Sequence, residues 1–90
     1  MKELKLFYLP SCPYCIAAFK ALEALRADER YAGIQLTMVD ESAEPELADS
    51  YDYYHVPTFF LGDSKLFEAK PGQSDGEIYS AVKSCLEAAL

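Results

Sequence analysis

Apolar and polar positions alternate along the chain between strand-like and helix-like spacing. An apolar run at residues 4–9 predicts a buried strand, and the Ala- and Leu-rich segment that follows it, 16–25, carries apolar side chains at helical spacing. Residues 34–40 alternate apolar and polar side chains, which predicts a second strand. The pattern does not define where the first helix ends between residues 26 and 31. Gly33 is expected to end any helix that continues through this segment.

The second half of the chain continues the alternation and ends with a hairpin and a helix. Pro45 begins a short helix that is expected to end near Asp52. Residues 58–61 and 65–68 read as two strands joined by a glycine-containing turn. A capping-box sequence that starts at Ser74 precedes the last helix. The predicted element order is therefore β-α-β-α-β-β-α.

This order predicts an α/β fold in which a mixed central sheet has helices on both faces. Ninety residues suffice for one small core, so we expect a single domain over 1–90. In open α/β sheets, functional sites lie beyond the carboxyl ends of the strands. The segment that follows the first strand is therefore the first place to look for chemistry.

Two cysteines, Cys12 and Cys15, lie in that segment, between the first strand and the first helix. A C-x-x-C sequence in this position is typical of a redox dithiol. Pro13 suits the first helical position, which places Cys12 at the N-cap, where the positive end of the helix dipole favours a nucleophilic thiolate. Cys15 lies one turn further on the same helix face and can close a disulfide. We therefore predict that Cys12 is the attacking thiol and Cys15 the resolving thiol.

The other candidate ligands have alternative interpretations. A zinc site usually needs four nitrogen or sulfur ligands, and beyond the dithiol only Cys85 and His55 remain, so no metal is expected. Cys85 shares the apolar stripe of the last helix, which favours core packing over a regulatory thiol. His55 is either a proton relay or charge partner near Cys12, or a solvent-exposed loop residue.

Composition narrows the classes of partner. A net charge of −7 with only eight Lys and Arg residues argues against a nucleic-acid partner. The N-terminal segment is not a signal peptide and no window approaches a membrane span, so we expect a cytoplasmic protein without a membrane partner. No bound cofactor is expected.

The residues Cys12-Pro13-Tyr14-Cys15, with Val56-Pro57 before a Phe-rich strand, resemble the glutaredoxins of the thioredoxin superfamily. The middle of the chain, from Pro45 to Phe59, is similar to small thioredoxins. The resemblance implies the thioredoxin fold, a dithiol thiol–disulfide oxidoreductase, and a cis Pro57 that faces the dithiol. Without the resemblance, Pro57 reads as an ordinary trans proline that opens an edge strand.

The resemblance also implies a substrate groove. Its expected residues are Pro13, Tyr14, His55, Val56, Pro57, Gly72 and Asp75. The Val56 backbone is expected to pair with the cysteine segment of a substrate. Leu9 stands where glutaredoxins commonly have a cation for a glutathione carboxylate, so we expect glutathione to support turnover only weakly.

The expected partners are disulfide-containing proteins or glutathionylated substrates, with glutathione or a flavoprotein reductase as the electron donor. One alternative is a thioredoxin-like protein disulfide reductant that a flavoprotein reductase recycles. An alternative of another class is an iron–sulfur cluster carrier, in which two chains share a cluster through Cys12 and an added thiol. Cys15 argues against this second alternative, because that role is more usual for monothiol relatives.

Overall fold

Four strands form one mixed sheet in the order β2-β1-β3-β4. The computed structural model describes residues 3–90, so Met1 and Lys2, which begin the N-terminal segment considered above, lie outside the described residues. The strands are β1 (Leu4–Tyr8), β2 (Leu36–Asp40), β3 (Thr58–Leu61) and β4 (Ser64–Glu68). β1 pairs in parallel with β2, whereas β3 pairs antiparallel with both β1 and β4.

The helices lie on both faces of the sheet. They are α1 (Pro13–Arg26), α2 (Glu29–Ala32), α3 (Pro45–Asp49) and α4 (Asp75–Ala88). α1 and α4 pack on one face and α3 on the other, which confirms the predicted α/β architecture. None of the helices between residues 3 and 90 has the length and apolar character needed to cross a bilayer.

The short helix α2 was not separated from α1 in the sequence prediction. The carboxylate of Asp28 accepts a hydrogen bond from the backbone N–H of Arg30 at 2.9 Å, and this N-cap starts a new helix directly after α1 ends. Gly33 ends α2, as predicted. The second strand also begins later than expected, at Leu36 rather than at residue 34, although Ile34 is buried.

The larger core lies between the sheet and the pair α1 and α4. Leu6 of β1 and Phe59 of β3 are fully buried against the apolar stripes of the two helices. Cys85 belongs to the α4 stripe and is only 3% exposed, which confirms its predicted place in the core. The capping box predicted at Ser74 is also confirmed. The Ser74 hydroxyl oxygen accepts a hydrogen bond from the Glu77 backbone N–H, and the Glu77 carboxylate accepts one from the Ser74 backbone N–H.

The second core lies under α3, which at five residues is too short to cover its face of the sheet alone. Two tyrosines from the following loop complete the cover. The ring centroids of Phe7 and Tyr51 are 4.7 Å apart, and those of Phe7 and Tyr53 are 4.9 Å apart. These aromatic contacts hold the loop after α3 against the sheet. They therefore also help to position the residues that directly follow the loop, Val56 and Pro57.

The peptide bond between Val56 and Pro57 is cis, as the resemblance implies. The alternative interpretation, a trans proline opening an edge strand, is wrong, since β3 lies between β1 and β4. Pro57 comes before the first paired residue of β3, so its missing N–H leaves no ladder hydrogen bond unmade. The start of β3 and the carboxyl ends of β1, β2 and β4 all meet at one end of the sheet.

Candidate active site

Cys12 occupies the N-cap of α1, as predicted, with Pro13 at the first helical position. No acidic residue lies in the first turn, so no carboxylate of α1 competes for the unpaired N–H groups of this helix end. The helix dipole therefore favours negative charge at the Cys12 sulfur. The residue is half-buried, and its sulfur lies 3.9 Å from the carbonyl oxygen of Val56.

Cys15 lies one turn behind Cys12 and is fully buried. Burial raises the pKa of its thiol to about 12, a hydrogen bond from the Leu9 N–H at 3.4 Å lowers it in part, and the neighbouring Cys12 raises it further. The two sulfurs are close enough for this interaction, and both cysteines are free thiols. The site thus combines one accessible thiol with one shielded, protonated thiol.

Val56 and Pro57 face the dithiol from the start of β3. Pro57 is buried, while Val56 is half-buried beside Cys12. Among residues 3–90 the backbone N–H of Val56 donates no hydrogen bond, and its carbonyl has only the Cys12 sulfur as a partner. A backbone amide left open beside a reactive sulfur can pair with an extended peptide.

Tyr14 and Gly72, two predicted binding residues, are in direct contact. The backbone N–H of Gly72 donates a hydrogen bond to the Tyr14 hydroxyl at 2.7 Å. Gly72 has φ near +89°, a conformation that favours glycine. The bond fixes the loop between β4 and α4 against the N-terminus of α1.

A groove of about 250 Å³ runs past Cys12, and we refer to it as the thiol groove. Its lining residues are Leu9, Cys12, Tyr14, Glu41, Tyr54, His55, Val56, Ala69, Lys70 and Pro71. His55 is a solvent-exposed loop residue, which agrees with one of its two interpretations. It also lines the same groove as Cys12, so the structure leaves the other interpretation, a charge partner of Cys12, open to test.

Four predicted binding residues are not part of the lining, and one of them, Pro57, is buried directly before β3. Pro13 is exposed at the helix start, and the backbone N–H of Gly72 bonds to the lining residue Tyr14. Asp75, the first residue of α4, lies at a separate depression together with Lys20 and Tyr79. Among residues 3–90, no three His, Cys, Asp or Glu side chains form a group that could hold a metal ion.

Glu41, Glu68 and Lys70 are site residues that the sequence analysis missed. Glu41 and Lys70 line the groove, and the charge of Glu41 makes a small contribution to the raised pKa of Cys15. The carboxylate of Glu68 accepts the backbone N–H groups of Tyr54 and His55, each at 2.8 Å. All three lie at or just after the carboxyl end of a strand. Because sites in open α/β sheets lie beyond these ends, that position could have identified them from the sequence.

Comparison with known proteins agrees with this geometry. The glutaredoxin family model matches residues 4–66. No curated protein gives a significant match. A solved structure described as that of a malarial protein superposes with a TM-score of 0.62 at 18% identity, covering 96% of this chain and 98% of that chain.

A second solved structure is that of an uncharacterized thioredoxin-like protein from Clostridium perfringens. It superposes with a TM-score of 0.56 at 23% identity, covering 94% of this chain and 71% of that chain. These likenesses confirm the predicted thioredoxin fold. The family match covers most of the chain and includes both cysteines and the cis proline, and on this basis the chain belongs to the glutaredoxin family.

Proposed function

We propose that this protein is a dithiol thiol–disulfide oxidoreductase that reduces protein disulfides or glutathione mixed disulfides. In the first step the Cys12 thiolate attacks one sulfur of the substrate disulfide. The substrate S–S bond breaks, one half leaves as a thiolate and takes up a proton, and the other half stays joined to Cys12. The half-buried position of Cys12 at the start of α1 supports its role as the attacking group.

In the second step Cys15 releases the bound half of the substrate. The Cys15 sulfur attacks Cys12, a disulfide forms between them, and the departing substrate sulfur takes up the proton that Cys15 loses. A thiol with a pKa of about 12 is almost wholly protonated at neutral pH, so Cys15 does not compete for the first attack. The net result is a reduced substrate and an oxidised Cys12–Cys15 pair.

The substrate segment lies in the thiol groove and pairs with the Val56 backbone. The open N–H of Val56, adjacent to the Cys12 sulfur, supports this pairing. Tyr14 and His55 border the same groove, and the Tyr14 bond to Gly72 holds one of its walls. Pro13, Pro57 and Asp75 act in this proposal by shaping the helix starts and the cis turn around the groove.

Oxidised enzyme is returned to the dithiol by glutathione or by a flavoprotein reductase, in the cytoplasm. We favour a minor role for glutathione, because Leu9 offers no charge to a carboxylate and Glu41 repels one. A protein reductase that docks across the groove is the stronger candidate donor. No bound cofactor or metal takes part in the proposed cycle.

The observation that carries this proposal is the asymmetry between the two thiols, one accessible and one buried behind it. The test compares wild type, Cys12→Ser and Cys15→Ser in the reduction of a disulfide-bonded protein such as insulin. Cys12→Ser is expected to abolish turnover. Cys15→Ser is expected to stop after the first step and to accumulate a mixed disulfide on Cys12, visible as an added mass that dithiothreitol removes.

Cys85→Ser serves as the matched control, because it also replaces one thiol but lies outside the groove. Activity that survives in Cys12→Ser and is lost in Cys15→Ser would reverse the two roles. Turnover that survives in both variants would refute the dithiol mechanism. The electron donor is identified by repeating the wild-type assay with glutathione and glutathione reductase, and separately with thioredoxin reductase.

A further inference from the structure

The thiol groove crosses the end of the sheet and carries opposite charges at its two ends. Glu41 directly follows β2 and Lys70 follows β4, and these are the two outer strands of the sheet. Cys12 and Val56, which follow β1 and precede β3, lie between them. A substrate bound at Cys12 therefore meets a carboxylate on the β2 side and an ammonium on the β4 side.

The two charges differ in how firmly they are held. The Tyr53 hydroxyl donates a hydrogen bond to the Glu41 carboxylate at 2.7 Å, and the Glu41 backbone N–H bonds to the Tyr8 carbonyl at 3.0 Å. Among residues 3–90 the ammonium of the exposed Lys70 makes no ion pair. A fixed, half-buried carboxylate acts on a bound charge more strongly than a flexible, solvated ammonium does. Glu41 is therefore the dominant charge of the groove.

Space for a side chain lies directly beyond Glu41. A second cavity of about 470 Å³ shares Glu41 and Tyr54 with the thiol groove. Its other lining residues are Pro45, Ala48, Asp49, Tyr51, Asp52 and Tyr53. Carboxylates and tyrosine rings both interact favourably with Lys and Arg side chains. A basic side chain next to the substrate cysteine can extend past Glu41 into this cavity.

We propose that Glu41 is a specificity-determining residue that selects substrate disulfides with a positive charge beside the reacting cysteine, on the β2 side of the groove. This inference rests on the proposed thiol–disulfide exchange and deepens it. Glu41 changes no bond itself: Cys12 still attacks, the substrate disulfide still breaks, and Glu41 only pairs with the neighbouring charge. Substrates that place a carboxylate there, including glutathione mixed disulfides, are disfavoured by the same residue.

The test uses three small symmetric disulfides that differ in charge: cystamine, bis(2-hydroxyethyl) disulfide and 3,3′-dithiodipropionate. The rate of oxidation of the reduced protein by each is divided by the rate of the same disulfide with dithiothreitol, which removes intrinsic reactivity. Wild type is expected to prefer cystamine over dithiodipropionate. Glu41→Gln is expected to lower that preference about three- to tenfold, as for one partly screened charge pair, when the rate with each charged disulfide is divided by the rate with the neutral disulfide in the same variant.

Glu23→Gln is the matched control, since it removes one negative charge from an exposed position on α1 outside the groove. It is expected to keep the wild-type preference, as is Glu41→Asp, which retains the charge. If Glu41→Gln does not fold, Glu41→Ser provides a second neutral replacement. An unchanged preference in the neutral variant, or an equal loss in Glu23→Gln, would overturn the role of Glu41.

This failure differs from a failure of the proposed function. If reduced wild type reduces none of the three disulfides faster than an unfolded control peptide with the same cysteines, the exchange activity itself is absent. If it reacts with all three without regard to charge, the exchange activity stands and only the selectivity is wrong. In the expected case, raising the salt from about 0.02 M to about 0.5 M also narrows the preference for cystamine.

Discussion

The carboxylate of Glu68 accepts a hydrogen bond from the backbone N–H of His55 at 2.8 Å, and so links the end of β4 to the loop that carries the cis proline. The same oxygen accepts the N–H of Tyr54 at 2.8 Å, and the other oxygen pairs with Lys65 at 2.8 Å. Since His55 is separated from Pro57 only by Val56, this one side chain helps to set the wall of the thiol groove opposite Cys12.

Replacement of Glu68 by alanine is expected to loosen this wall. Two hydrogen bonds from backbone N–H groups and the ion pair with Lys65 are lost, which at this partly buried position costs on the order of 1–3 kcal/mol in the free energy of unfolding. Faster hydrogen exchange at the Tyr54 and His55 amides and slower protein-disulfide reduction are expected, with Cys12 alkylation unchanged. Lys65→Met, which removes only the ion pair, is the control. Unchanged exchange at both amides in Glu68→Ala would contradict the assigned role.

The pKa of Glu68 gives this contact a pH signature. Burial alone would raise it, but the hydrogen bonds from Lys65 and from the two backbone N–H groups outweigh burial and lower it below the ordinary value of 4.5. The folded state therefore favours the ionised form, and its contribution to stability is present above pH 4.5 and is lost as the pH falls through the lowered value. Urea unfolding of Glu68→Gln is expected to depend less on pH in this acid range than unfolding of wild type. If the free energy of unfolding fell equally with pH in both proteins, Glu68 would not be the source of this acid dependence.

The three thiols are expected to react very differently with iodoacetamide at neutral pH. Burial raises the pKa of Cys15 and of Cys85 to about 12 each, and both side chains are shielded from solvent. Native protein should therefore gain one adduct, on Cys12, while unfolded protein gains three. Peptide mass mapping after a short labelling time distinguishes the sites. Labelling of Cys15 as fast as Cys12 would show that the buried thiol opens readily to solvent.

Cys85 is expected to contribute to stability and not to turnover. It is packed in the core formed by α1 and α4, away from the thiol groove. Cys85→Ala removes about one buried heavy atom, which costs roughly 1 kcal/mol in the free energy of unfolding. Disulfide reduction by the folded variant should match that of wild type. A loss of activity without a loss of fold would mean that this third thiol takes part in the cycle.

The sequence was sufficient to predict those parts of the fold that local patterns encode. Apolar periodicity located the strands and the two long helices, and Pro13 and Ser74 marked two helix starts correctly. The separate helix α2 was not predicted, because its start depends on a single side-chain hydrogen bond, from the Arg30 backbone N–H to the Asp28 carboxylate. A local hydrogen bond of this kind leaves little trace in hydrophobic periodicity.

The candidate site was predictable where its residues are neighbours in sequence and not where they meet across the sheet. Cys12 and Cys15 were found from their spacing, and Val56 from the resemblance. Glu41 and Glu68 belong to the site only because strand order brings the ends of β2 and β4 to the dithiol. No spacing rule joins residues so far apart, although both positions follow the rule that sites lie beyond strand ends.

The prediction that glutathione supports turnover only weakly can be tested at Leu9, which lines the thiol groove together with Glu41. Leu9→Lys places an ammonium where it can bond a glutathione carboxylate and offset the charge of Glu41. A charge-assisted hydrogen bond contributes about 1.5–3 kcal/mol, and at this half-exposed position we expect the lower end, or about a tenfold fall in the KM for glutathione. Leu9→Met is the neutral control of similar length.

The assay is reduction of a glutathionylated substrate with glutathione and glutathione reductase, beside insulin reduction with thioredoxin reductase. Wild-type turnover that is already fast at low glutathione would refute the prediction, and an equal gain in Leu9→Met would show that side-chain shape rather than charge limits binding.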